Sequence, residues 1–134
     1  MSNPPETPRI LVVDDDKSVR AMLILVLTRA GYNVDTAHDG IDGLTKLRAN
    51  KYDLLISDNK MPGLTGVEMI QQLHSDRITL PIIMASGTLR TKDVVDLDNP
   101  LFTILAKPYR LVDLLALVKT FLATNGTGRG ALNG

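Results

Sequence analysis

The chain has 134 residues, and its 15 basic and 15 acidic side chains give a formal net charge of zero. This length predicts one domain with a substantial core, and the balanced charge disfavours general attraction to nucleic acid or to an anionic membrane. The lack of cysteine excludes disulfides and thiolate metal sites, and the lack of tryptophan disfavours a base-stacking surface. The longest apolar run, Ala21 to Leu27, is too short to span a membrane, so we expect a cytoplasmic protein without a secretory signal.

Short apolar runs alternate with helical patterns along the chain. Strands are predicted at residues 9–14, 32–37, 53–57, 80–85 and 103–106. Helices are predicted from Lys17 to a cap at Gly31, from Asp39-Gly40 through Leu47, at residues 66–74 and at residues 110–123, and the fourth of the five helices, between the fourth and fifth strands, is expected to be short or irregular. The domain is therefore predicted to span residues 9–123, between a disordered leader (1–8) and a flexible tail (124–134).

This alternation of strands and helices indicates an α/β protein. Strands joined through helices predict a parallel sheet with right-handed connections and helices on both faces. We expect a flavodoxin-like, doubly wound, five-stranded sheet in the order 2-1-3-4-5 with five helices, which makes a three-layer sandwich.

Polar side chains stand where four of the predicted strands end. Asp14 and Asp15 follow the first strand, Asp58 the third, Ser86 the fourth and Lys107 the fifth. Because ligands of open α/β sheets bind outside the carboxyl ends of the strands, these side chains are predicted to line one crevice.

The chemistry of this set favours a metal ion and a phosphoryl group. Three crowded carboxylates repel each other, and oxygen-only ligands without histidine or cysteine favour Mg²⁺ as the offsetting cation. Lys107 supplies a positive charge and Ser86 a hydroxyl donor for phosphoryl oxygens. Asp58 can then act as a carboxylate nucleophile, since aspartyl phosphates are established covalent intermediates.

At residues 9–123 the chain resembles the receiver domain of two-component response regulators, and in particular a chemotaxis-regulator-like, stand-alone receiver. The resemblance rests on a set of short motifs in a fixed order: Asp14-Asp15, Gly31-Tyr32, Asp39-Gly40, Ser57-Asp58 with Met61-Pro62-Gly63, Ser86 and Lys107-Pro108. No output region of recognisable type follows the last predicted helix, so we expect a stand-alone receiver or a piece of a longer regulator or hybrid kinase.

The resemblance implies a signalling switch rather than an enzyme with an external substrate. Asp58 would accept a phosphoryl group from a phosphohistidine on a sensor histidine kinase or phosphotransfer protein, with self-phosphorylation and autodephosphorylation as its only catalysis. Asp14, Asp15, Asp58 and the backbone carbonyl of Lys60 would hold Mg²⁺, and Ser86 and Lys107 would contact the phosphoryl oxygens. The resemblance also implies a cis peptide bond between Lys107 and Pro108.

Three features differ from the usual receiver pattern. Ile104 stands where the family usually has an aromatic residue, and Phe102 is expected to point to the opposite face of the sheet. The segment 93–100 lacks the usual Gly-Ala turn. Lys60 and Thr88 occupy variable positions that adjust phosphoryl lifetime in the family.

The same resemblance places the output surface on the fourth helix, fifth strand and fifth helix of the predicted fold. The proposed contacts there are Leu97, Leu101, Phe102 and Tyr109. This face would bind a downstream protein and could support a homodimer, without direct contact to nucleic acid or membrane.

Two alternatives remain open at the level of sequence. In a haloacid-dehalogenase-like phosphatase, Asp14 would be the nucleophile and Asp16 the general acid and base. Against this, no acidic pair near the end of the chain completes a metal site, and Asp58 would have no role. The second alternative is a pseudo-receiver that binds a partner without being phosphorylated. Asp16 is otherwise expected to cap a helix, and His38 and His74 to face solvent or cap.

Overall fold

The computed structural model describes residues 7–89 and 101–133, with side chains described as far as Ala123. Its strands are β1 (Arg9–Val13), β2 (Asn33–Ala37), β3 (Leu54–Asp58), β4 (Ile82–Ser86) and β5 (Phe102–Ala106). Its helices are α1 (Lys17–Arg29), α2 (Gly40–Ala49), α3 (Gly66–Ser75) and α4 (Leu111–Asn133). Most of the predicted leader lies outside the described residues. The segment 93–100 and the proposed contact Leu97 also lie outside them, and no fourth helix between β4 and β5 is among the elements of the described part.

The five strands form one parallel sheet in the order β2-β1-β3-β4-β5. Ile10 lies opposite Val34 on β2 and opposite Leu54 on β3, so β1 and β3 are neighbours in the middle of the sheet. The predicted strand order is confirmed, and the carboxyl ends of β1, β3, β4 and β5 share one edge.

Alternate residues of each buried strand pack on opposite faces of the sheet, as the strand period of two requires. Leu11 and Val13 belong to a core cluster with α2 and α3, whereas Ile10 and Val12 belong to a second cluster with α1 and α4. We call these faces the α2/α3 face and the α1/α4 face. Together they give the predicted three-layer sandwich.

Phe102 and Ile104 both pack against the cluster on the α2/α3 face. The prediction that Phe102 points to the opposite face was wrong, because two residues that are two positions apart on a strand share a face. An aromatic side chain therefore does lie beside Ile104, one strand period nearer the start of β5.

The helix ends follow local signals in part. Gly31, with a φ of 100°, follows α1, and its N–H donates to the carbonyl of Thr28 at 3.0 Å, as the predicted glycine cap requires. After α3 the left-handed position is occupied by Arg77, with a φ of 59°. The α4 helix continues to Asn133, beyond the predicted end at Ala123, while the flexibility predicted for residues 124–134 stays a prediction.

Among the described residues, no helix combines the length and the apolar composition needed to cross a bilayer.

Candidate functional site

Asp58 is the last residue of β3 and follows four buried strand positions. Its side chain is 11% exposed, so it reaches the edge of the sheet without entering bulk solvent. Its Oδ1 accepts a hydrogen bond from the N–H of Asn59 at 2.8 Å and another from the ammonium of Lys107 at 3.0 Å. The carboxylate is thereby oriented by its own strand end and by β5.

Asp14 directly follows β1 and is buried, with 6% of its surface exposed. Its N–H continues the pairing with β2 by donating to the carbonyl of Ala37 at 3.1 Å. Its Oδ1 accepts from the N–H of Asp16 at 2.8 Å, and its backbone carbonyl accepts from the Arg20 guanidinium at 2.8 Å. These bonds fix the loop that presents Asp14 and its exposed neighbour Asp15.

The carboxylates of Asp14, Asp15 and Asp58 converge because β1 and β3 are neighbours. One oxygen of each lies within 4.8 Å of one oxygen of each of the others. Burial raises the pKa of Asp14, and the nearby charges of Asp58 and Asp15 raise it further, against the hydrogen bond from Asp16 and the charge of Lys107, which lower it. In the described part of the chain, the three carboxylates outnumber the one ammonium that pairs with them, that of Lys107, and their oxygen ligands suit a hard divalent cation such as Mg²⁺.

Ser86 and Lys107 line the other side of this crevice. Ser86 ends β4 and is buried, and its Oγ accepts from the N–H groups of Thr88 at 3.1 Å and Leu89 at 3.0 Å, which leaves the hydroxyl proton to donate. Lys107 follows β5, and its N–H donates to the Ser86 carbonyl at 3.0 Å. Burial disfavours the charged form of Lys107 and would lower its pKa, but the hydrogen bond to Asp58 and the charge of Asp58 have the larger combined effect and raise it. Lys107 is therefore a permanent cation at neutral pH.

The peptide bond between Lys107 and Pro108 is cis, as the resemblance implied. A cavity of about 190 Å³ lies against these groups, and its lining comprises Asp58, Lys60, Ser86, Gly87, Thr88 and Lys107. The Asp58 carboxylate, the Ser86 hydroxyl and the Lys107 ammonium thus border one space. A phosphoryl group requires such donors around it, and the acidic cluster beside them suits its counter-cation.

Asp16 lies at the start of α1 rather than in the crevice. Its side chain accepts from the N–H of Ser18 at 2.8 Å and of Val19 at 3.4 Å, so it is the predicted helix cap. His38 is exposed beside Asp39 and Asp42, and His74 lies in the last turn of α3; neither is near the crevice residues in the described contacts.

Two residues that support the site were missed in the sequence. Arg20 fixes the carbonyl of Asp14, and Asn59 joins the end of β3 to the start of α3. Arg20 contacts a backbone group six residues earlier and Asn59 one eight residues later, and no short motif marks such a contact.

Comparisons with known proteins agree with this geometry. Residues 10–119 match the family model of the response regulator receiver domain. The chain is 39% identical over 115 residues to the response regulator MprA of Mycobacterium avium (strain 104), with 85% of this chain and 50% of that protein covered. It is 36% identical over 115 residues to the response regulator ArlR of Staphylococcus aureus (strain Mu50 / ATCC 700699), covering 52% of that protein. The chain thus spans about half the length of these relatives.

Solved structures show the same fold. The chemotaxis protein CheY4 of Vibrio cholerae superposes with a TM-score of 0.75 at 30% identity, covering 87% of this chain and 100% of that one. The response regulator TrrA of Thermotoga maritima, solved in complex with Mg²⁺ and BeF, superposes with a TM-score of 0.73 at 30% identity, again covering 87% of this chain and 100% of that one. With the fold, the site and the family match in agreement, the chain belongs to the response regulator receiver domains of two-component systems.

Proposed function

We propose that this chain is a phosphorylation-dependent switch in which Asp58 accepts a phosphoryl group from a phosphohistidine on a sensor histidine kinase or phosphotransfer protein. The observation that carries the proposal is the placement of Asp58 between two further carboxylates and the ammonium of Lys107. A carboxylate nucleophile, an acidic cluster that could hold a metal ion and a cation that could contact phosphoryl oxygens thus lie together.

In the proposed reaction a carboxylate oxygen of Asp58 attacks phosphorus. The new oxygen–phosphorus bond forms as the phosphorus–nitrogen bond to the donor imidazole breaks, and the imidazole nitrogen leaves with the electron pair and takes up a proton. Lys107 lies beside Asp58 already and would follow the negative charge onto the phosphoryl oxygens. The Ser86 hydroxyl would donate a hydrogen bond to one of them.

Asp14, Asp15, Asp58 and the Lys60 carbonyl would hold Mg²⁺ in this proposal. The cation, when bound, offsets the carboxylate repulsion and the phosphoryl charge. The response regulator TrrA, which has the same fold, was solved in complex with Mg²⁺ and BeF, and this supports the proposal.

Hydrolysis of the aspartyl phosphate by water would reset the switch, so the chain turns over only its own phosphoryl group. Lys60 and Thr88 line the cavity beside Asp58 and would influence that step. Output would occur in the cytoplasm by a population shift in the surface that includes β5 and α4, which would bind a downstream protein or a second copy of the chain.

The test is incorporation of phosphate from a small acyl phosphate donor, with and without Mg²⁺, into the wild type, Asp58→Asn and Asp14→Asn. The expected result is Mg²⁺-dependent labelling of the wild type that is lost in Asp58→Asn. Labelling that survives in Asp58→Asn and is lost in Asp14→Asn would instead identify a phosphatase-like nucleophile, although Asp16, the acid and base of that mechanism, is occupied as a helix cap. No labelling of any variant would identify a binding module without phosphorylation.

A further inference from the structure

The loop between β3 and α3 carries the Lys60 carbonyl and is closed at its base by one residue. Asn59 accepts a hydrogen bond from the N–H of Gly66 on its backbone carbonyl at 2.9 Å, and one from the N–H of Val67 on its side-chain Oδ1 at 3.0 Å. Its own N–H donates to Asp58 Oδ1 at 2.8 Å. Asn59 therefore contacts the proposed nucleophile on one side and the first turn of α3 on the other.

Two different residues, Asn59 and Thr65, therefore cap the N–H groups of the first turn of α3. The N–H of Glu68, at the third position of the helix, donates to the Thr65 hydroxyl at 3.1 Å. In return, the Glu68 Oε1 accepts from the N–H of Thr65 at 3.0 Å. Thr65 caps the helix from the position directly before it, whereas Asn59 caps it from the position directly after β3 and Asp58. Among the described residues, the two hydrogen bonds that tie the helix to the segment 58–60 both go to Asn59, one to its backbone carbonyl and one to its side-chain Oδ1.

We propose that Asn59 is a positioning residue that holds the Lys60 carbonyl in the geometry needed for a metal ligand. This inference rests on the proposed function, because it assigns Asn59 a role in Mg²⁺ binding at that site. Lys60 itself has an exposed side chain, so its carbonyl is positioned by its chain neighbours rather than by packing of Lys60. Mg²⁺ tolerates little departure from octahedral geometry, and residues that orient a ligand without touching the metal commonly change its affinity by a factor of ~10 to 100.

Asn59→Ala removes the Oδ1 acceptor and leaves the backbone bond to Gly66 in place. Thr65→Ala is the matched control, because it removes a cap of the same helix without touching the segment 58–60. Both variants should unfold at lower urea concentration than the wild type, since each leaves one N–H of the first turn without its side-chain acceptor. Asn59→Asp keeps an oxygen at the same position and is the conservative variant expected to restore the bond to Val67.

The experiment is a calorimetric titration of the unphosphorylated whole chain with Mg²⁺ alone. We expect Asn59→Ala to bind Mg²⁺ about tenfold more weakly than the wild type, with Thr65→Ala within about twofold and Asn59→Asp no weaker than the wild type. The Mg²⁺ concentration for half-maximal acyl phosphate labelling should rise in Asn59→Ala by the same factor, while the maximal rate at saturating Mg²⁺ is retained.

Equal Mg²⁺ affinity in Asn59→Ala and the wild type would overturn the inference and leave the proposed function standing. An equal loss in Asn59→Ala and Thr65→Ala would also overturn it, because the effect would then follow helix stability. Absence of Mg²⁺ binding by the wild type would overturn the proposed metal site and this inference together.

Discussion

Tyr52 lies just before β3, at the edge of the sheet opposite to the acidic site. Its hydroxyl donates to Asp35 Oδ2 at 2.8 Å, and the Arg9 guanidinium donates to the same oxygen at 3.0 Å while it lies 4.9 Å from the centre of the Tyr52 ring. These three side chains join β1, β2 and the start of β3. Burial raises the pKa of Tyr52, and the hydrogen bond to Asp35 raises it further, to about 12.

This shift predicts a loss of stability in alkali. Between pH 10.0 and about 12 the unfolded chain has released the Tyr52 proton and the folded chain retains it, so the free energy of unfolding falls as pH rises through this window. Tyr52→Phe should be less stable than the wild type by about 1 kcal/mol below this window, because it lacks the hydrogen bond to Asp35. Its stability should then fall less steeply with pH.

Urea unfolding at a series of alkaline pH values measures both quantities. Because burial also raises the pKa of Tyr109, phenol absorbance is titrated in both the wild type and Tyr52→Phe, and the difference between them is the titration of Tyr52. Parallel stability curves for the two proteins would contradict the assignment of the shift to Tyr52.

At the scale of elements, α3 lies so close to the end of β3 that only glycine fits at its first position. A Cβ on Gly66 would lie 2.5 Å from the carbonyl oxygen of Asp58 and 2.8 Å from the sulfur of Met84. By contrast, a Cβ on Gly87 would have open space, with Lys107 Cβ 3.9 Å away as its nearest neighbour. Gly66, at the first position of α3, and Gly87, directly after β4, therefore make a matched pair, one crowded and one open.

Gly66→Ala should lower the free energy of unfolding by about 1–3 kcal/mol, because the backbone of Asp58 must move to make room. Gly87→Ala should change it by less than about 0.5 kcal/mol. Urea denaturation of both variants and the wild type checks the difference, and an equal effect of the two substitutions would show that Gly66 is not tightly packed.

The elements that sequence predicts well are those with a local physical signal. Short strand patterns, buried and apolar at β1, β3 and β4 and more exposed at β2, located the strands, and glycine after α1 located a helix end, because each signal is contained in a few consecutive residues. Arg77 in a left-handed conformation has no such signal, since arginine rarely adopts it.

The residues of the site also differ in how well the sequence predicts them. The side chains that end strands could be placed by topology alone, which brought Asp14, Asp15 and Asp58 together. Arg20 and Asn59 could not, since their partners are backbone groups brought near by the packing of a helix on the sheet.

At the scale of the whole molecule, the zero net charge conceals a separation of charge. Three carboxylates meet at one end of the sheet, with Lys107 as the cation that pairs with Asp58. A cation bound there should stabilise the folded chain, because the unfolded chain does not hold the three carboxylates together.

Mg²⁺ at a hundredfold excess over its dissociation constant should raise the free energy of unfolding of the wild type by about 2.7 kcal/mol. Asp14→Asn should be more stable than the wild type without Mg²⁺, on the order of 1 kcal/mol, because it relieves repulsion in a buried position. It should gain much less from the ion. Urea unfolding with Mg²⁺, and with a potassium salt at the same ionic strength as control, separates binding from screening. Equal stabilisation by both salts would exclude a specific site.

The close approach of α2 and α3 has a consequence for how the sequence can vary. A Cβ on Gly40 would lie 2.8 Å from the Leu64 carbonyl oxygen, and one on Gly43 would lie 2.9 Å from the side-chain sulfur of Met69, compared with 2.5 Å from a carbonyl oxygen at Gly66. A library of variants selected only for folding should therefore retain these three glycines. The same library should lose the acidic residues of the crevice, because their mutual repulsion destabilises the fold and no function is selected. A library selected for phosphoryl transfer should retain both sets, and comparison of the two would separate the residues that build the scaffold from those that make it a switch.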